Sequence, residues 1–112
     1  MRHVNFSKIG KEQFHTTGAA RLRAVAKALG LAPGEFSVRS IRGGPAVRGE
    51  VILHTDKVYV QLCNGWSHDA KLLVRTCQGR RDFTGGPNQW ITADWLNDPT
   101  VAAVEIARRC LL

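Results

Sequence analysis

From Lys57 to Cys63 the chain alternates with a period of two: Val58, Val60 and Leu62 fall on one side, Lys57, Tyr59 and Gln61 on the other. Such a pattern fits an antiparallel strand with one face on a core and one towards solvent; helical apolar positions would recur every three or four residues. The run Val47 to His54 precedes it, and the two read as a hairpin turning at His54-Thr55-Asp56-Lys57. Two more strand-like runs flank the hairpin. Glu35 to Arg42 places Phe36 and Val38 on one face, and Ala70 to Cys77 sets Leu72, Val74 and Thr76 against Leu73, Arg75 and Cys77. Gln89-Trp90-Ile91 reads as a short further strand.

Helices bracket these strands. Thr16 or Thr17 is placed to cap a helix running to about Leu29, with Leu22, Val25, Ala26 and Leu29 as its apolar stripe. Gly30 ends it and Pro33 prevents its resumption. Gly18, in its first turn, costs little there. Thr92 starts one helical turn through Trp95 and Leu96. Asp98 caps a last helix with Pro99 in its first position. Val101, Val104, Ile106, Ala107 and Leu111 supply its apolar side, and Arg108 and Arg109 suit its C-terminal dipole. Residues 1–12 read as a flexible arm. The expected architecture is one α+β domain over residues 1–112: an antiparallel meander of three to five strands flanked by an N-terminal and a C-terminal helix, the helices packed on one face.

Lys and Arg total 16 against 9 Asp and Glu, a formal net charge of +7. The excess is +5 in residues 1–30, while residues 91–112 carry a net −1. That bias favours polyanionic partners: nucleic acid, or an acidic protein or nucleoprotein surface. No stretch reaches the roughly 18 apolar residues of a membrane span, so no membrane partner is expected. The first residues lack the apolar core of a signal peptide, and the cysteines are three, Cys63, Cys77 and Cys110. An odd count without a leader fits a reducing, cytoplasmic setting.

Residues with chemical potential are scattered. Cys63, His68 and Cys77, with His54, match no common zinc spacing, so no metal or other cofactor is expected. A cysteine nucleophile beside His68 has no supporting motif. A small metal-free nuclease has its residue types in His54 and His68, with Arg80 as a phosphate clamp. Between Gln78 and Asn88 lie three glycines, one proline and the pair Arg80-Arg81. This loop reads either as an anion nest or as a structural turn in which Asp82 pairs with an arginine, Phe83 plugs the core and the glycines take positive φ. The binding surface expected from charge comprises Arg21, Arg23 and Lys27 on the first helix, Arg75 on a strand, and Arg80 and Arg81 in the loop. Tyr59, Trp66 and Trp90 are candidate stacking residues, although at least two of the three tryptophans are expected in the core. An uncovered sheet face or edge leaves a homodimer open.

The stretch Leu73-Val74-Arg75-Thr76-Cys77-Gln78-Gly79-Arg80-Arg81-Asp82-Phe83-Thr84-Gly85-Gly86-Pro87-Asn88, preceded by His54-Thr55-Asp56-Lys57-Val58-Tyr59-Val60-Gln61, resembles a pattern in short uncharacterised bacterial and phage proteins. The likeness covers about residues 49–90. It implies a stand-alone protein of mobile-element type, hence an accessory DNA- or RNA-binding factor, or an inhibitor of a host defence complex such as a CRISPR effector. It assigns no site residue. The expectations therefore rank as a basic, non-enzymatic binder of nucleic acid or a nucleoprotein, then a protein-binding inhibitor or accessory factor, then a His-dependent nuclease.

Overall fold

The alternating segment becomes the central strand of a five-stranded antiparallel sheet. The computed structural model describes residues 2–64, 69–83, 85–110 and 112. Along the chain come helix α1 (Lys11–Ala28), strands β1 (Phe36–Ile41), β2 (Glu50–Thr55), β3 (Val58–Asn64), β4 (Ala70–Thr76) and β5 (Gln89–Thr92), a 3-10 turn (Ala93–Asn97) and helix α2 (Pro99–Arg109). The strands lie in the order β1-β2-β3-β4-β5, so each pairs with its neighbour in sequence. All four pairings are antiparallel. The α+β meander with a helix at each end is therefore the fold.

Period-two alternation separates the two faces. Val51, Leu53, Val58, Val60, Leu62, Leu72 and Val74 point towards the helices and are fully buried. Burying one such aliphatic side chain stabilises by about 1.5–3 kcal/mol. Helix α1 lies over β1 and β2, the 3-10 turn touches β4, and α2 packs against α1.

Helix α1 begins at Lys11, well before the threonines expected to cap it, and Gly10 occupies the N-cap without a side-chain bond. Its apolar stripe simply extends backwards: Phe14 and Gly18 continue the line of Leu22 and are buried with it. Gly18 is thus central. A Cβ there would lie 2.7 Å from Leu62 Cδ2, so glycine lets the helix sit close on β3. The other end follows expectation. Gly30 (φ 83°) ends the helix, with Gly30 N donating to Lys27 O and Leu31 N to Ala26 O, a Schellman closure.

Residues 2–12 do not form a free arm. Val4 and Phe6 are buried in the core. Val4 N donates to Asn97 Oδ1 at 2.7 Å, and Asn97 Nδ2 donates back to Val4 O at 2.9 Å, which fastens the segment to the 3-10 turn. Helix α2 is capped as expected, Asp98 Oδ1 accepting from Val101 N at 3.2 Å. Of its expected apolar side Ile106 is buried, but Val101 and Val104 are exposed, and Ala102 and Ala103 face inward in their place. Small alanines allow close approach to α1, and the valines are left on the far side of the turn. Leu111 lies outside the described residues.

Candidate binding face on the sheet

Among the described residues no helix covers the second face of the sheet. Arg39, Ile52, Gln61, Leu73 and Trp90 form one row across it, in register from β1 to β5. Ser37, His54, Tyr59 and Arg75 form the next row. Ile52, Tyr59 and Leu73 make a small apolar cluster separate from the main core. They are buried beneath long side chains and the loop that follows β4.

That cover is made of cations and rings. The Arg75 guanidinium lies 4.1 Å from the centre of the Tyr59 ring, and that of Arg39 lies 5.2 Å from the centre of Phe83. His54 meets Tyr59 and Phe83 edge to face, with ring centres 5.2 and 5.4 Å apart. Arg75 Nη2 also donates to Phe83 O, which draws the loop onto the sheet. Tyr59 donates its hydroxyl proton to Gln61 Oε1 at 2.7 Å. Phe83 and Trp90 keep 51% of their surface exposed. Glu50, Gln61, Cys63, Asn64 and Arg48 share a shallow groove with Trp90.

The loop is held by its own carboxylate. Asp82 Oδ2 accepts from Gln78 N at 3.0 Å and Oδ1 from Gly85 N at 2.9 Å. These amides point at Asp82, so they are not a vacant anion nest. Gly79 (φ 147°) and Gly85 (φ 48°) supply positive φ. A Cβ at Gly85 would come within 2.4 Å of Thr76 O. The turn reading of this loop thus holds for Gly79 and Gly85 but not for Gly86, and Phe83 lies over His54 on the open face rather than plugging the core.

His54 is the pivot beneath the loop. It is 1% exposed, and its Nε2 pairs with Gly79 O at 3.0 Å. The carbonyl can only accept, so Nε2 carries the proton and Nδ1 is a buried acceptor; among the described residues it has no partner. Burial pushes the His54 pKa down, and the charges of Arg39 and Arg75 push the same way, while the Gly79 bond and Asp82 oppose. The ring is neutral at physiological pH. So placed, His54 packs beneath Phe83 and anchors the loop through Gly79 O. His68 and Trp66 lie outside the described residues.

The expected cationic set is divided. Arg75, Arg80 and Arg81 belong to the open face and its loop, with Arg80 Nε 3.3 Å from Asp56 Oδ1 on the β2–β3 turn. Arg23 and Lys27 are exposed on α1, across the sheet from them. Arg21 is not a surface residue. It is 7% exposed, donating from Nη1 to Leu96 O at 2.9 Å and Asn97 Oδ1 at 3.2 Å, and from Nη2 to Arg2 O at 2.6 Å. It ties the N-terminal segment, α1 and the 3-10 turn together. Charge and spacing do not single out Arg39 and Phe83, yet both belong to this face. Arg39 sits opposite Val38 in the alternation, which is a usable signal; the loop's path over His54 has none in the sequence.

The remaining chemical candidates take structural places. Cys63, Cys77 and Cys110 are buried with free thiols, and burial raises the pKa of each, which disfavours the nucleophilic thiolate. Cys77 Sγ donates to Thr55 O at 3.3 Å. Among the described residues no group of three His, Cys, Asp or Glu side chains is arranged to hold a metal ion. Nor is any described helix long and apolar enough to cross a membrane. Of the other tryptophans, Trp95 is partly buried against the core. No protein-family model matches the chain, and no match to it was found among curated proteins or among solved structures.

Proposed function

We propose that the protein is a non-enzymatic binder of nucleic acid, or of a nucleoprotein, through the helix-free face of its sheet. One observation carries this reading: two guanidinium groups, Arg39 and Arg75, rest on aromatic rings of a face that also exposes half of Phe83 and Trp90. Arginines held on ring faces are oriented before a ligand arrives and still present N–H donors to phosphate. Arg80 and Arg81 add charge in the loop that carries Phe83, Arg80 being paired with Asp56. The net charge of +7 adds long-range attraction for a polyanion.

The test is binding to labelled DNA and RNA across a salt series. Affinity should fall steeply with salt, because binding at phosphates releases counterions. Arg39→Ala/Arg75→Ala should weaken binding and flatten the salt slope by about one for each phosphate no longer neutralised. Arg23→Ala/Lys27→Ala should leave both nearly unchanged. Absence of binding at low salt contradicts the reading. A second reading, an inhibitor or accessory factor that docks on another protein, draws on Ile41 (46% exposed), at the end of β1, and Val47 (53% exposed), in the loop that follows. It predicts a stable complex with a protein partner and little affinity for naked nucleic acid.

A further inference from the structure

Resting on the nucleic-acid reading, we infer that this face takes an unpaired strand, with bases stacked on Phe83 and Trp90, rather than a duplex. Duplex recognition places a helix or a ribbon in a groove and reads base edges there. Here α1 and α2 lie on the other side of the sheet, so neither projects from the cationic face. A duplex also keeps the faces of its bases inside its own stack, where no protein ring reaches them. An unpaired strand offers those faces, and half-exposed rings on a flat β-surface are the usual partners for them.

The spacing of the parts suits a strand laid across the sheet. Phe83 packs on His54, which belongs to β2, whereas Trp90 belongs to β5. Three strand intervals separate β2 from β5, roughly 14 Å. Between the two rings lie Gln61, half-buried, and Leu73, buried beneath the covering side chains, with Arg75 in the neighbouring row. Arg39 lies beside Phe83 and Lys71 lies on β4 next to β5, so a cation stands near each end. Arg39 offers phosphates positive charge at Phe83, while around Trp90 the ammonium of Lys71 shares the surface with the carboxylates of Glu50, Asp69 and Asp94. Nothing in this arrangement selects among bases, because every base has a stacking face. The ligand class is single-stranded nucleic acid with little sequence preference.

The experiment compares fluorescein-labelled single strands of about 12 nucleotides, one DNA and one RNA of the same sequence, with their duplexes at one salt concentration. The single strands should bind at least about tenfold more tightly than the duplexes. Phe83→Ala and Trp90→Ala should each lower single-strand affinity by roughly tenfold while hardly changing duplex binding. Trp90→Phe keeps a ring and should restore most of the affinity, which separates stacking from a folding defect; melting curves of each variant give a further control. Equal affinity for duplex and single strand, with the ring variants unaffected, overturns the stacking inference but leaves the nucleic-acid reading standing. Failure to bind any of the four probes at low salt overturns both.

Discussion

The two faces of this sheet are shielded by different means. On one, Val51, Leu53, Val60, Leu62, Leu72 and Val74 are sealed by α1, the 3-10 turn and the N-terminal segment. On the other, Ile52, Tyr59 and Leu73 are sealed by arginine side chains, single rings and one loop. The first cover consists of secondary structure whose removal is unfolding. The second consists of side chains that remain partly exposed and can be displaced or joined by a ligand without opening the core. That difference is why the functional proposal falls on the second face. Buried area alone would not separate them, since Tyr59 is 5% and Leu73 7% exposed.

Truncating one residue on each face separates the two kinds of cover. Leu62→Ala, on the helix side, should cost about 2–5 kcal/mol in denaturant unfolding, because a cavity opens beneath Gly18. Trp90→Ala, on the open side, should cost about 1 kcal/mol or less, since half of that ring is already in water. Equal losses would mean that the open face is structural too.

Arg21 provides the next contrast. Arg21→Met removes three donated hydrogen bonds and strands the carbonyls of Arg2 and Leu96. A loss of about 2–3 kcal/mol is expected, with nucleic-acid affinity per folded molecule unchanged. If affinity falls while stability holds, Arg21 is a binding residue after all.

A pH titration probes the loop anchor. The folded-state pKa of His54 lies below its unfolded value, so the unfolded chain binds more protons in the interval between them. Stability should therefore be full above about pH 6.5 and decline as the pH falls below it. The melting temperature of His54→Gln should change less over that range than that of the parent, since the titrating ring is gone. Identical profiles would show that the ring is accessible and not held beneath Phe83. The smallest effect belongs to Arg23→Ala/Lys27→Ala: a change within about 0.5 kcal/mol, read by thermal melting.

The strand pattern is legible because one face of each strand is apolar, and a period of two stands out in so short a run. Asp98 and Pro99 mark the start of α2, and Gly30 marks the end of α1. The start of α1 is hidden because Phe14 and Gly18 look unlike a stripe until Leu62 is seen to fill the space above the glycine. The N-terminal segment looks free because Asn97, which fastens it, stands 93 residues away. Separations of 75, 76 and 19 residues conceal the role of Arg21: a charged side chain on a basic helix reads as surface until its three backbone and side-chain acceptors converge. In the candidate site, charge identifies Arg75, Arg80 and Arg81. It cannot show that Arg39 joins them from β1, because that depends on strand order and on where the loop carrying Phe83 folds back.

Contact of a ligand with the helix-free face is visible to NMR residue by residue. A single-stranded oligonucleotide would be added to isotope-labelled protein and the chemical shifts followed. Large changes are expected at Arg39, His54, Tyr59, Arg75, Phe83 and Trp90, with little change along α1. Changes centred on Arg23 and Lys27, with the sheet residues silent, would contradict it.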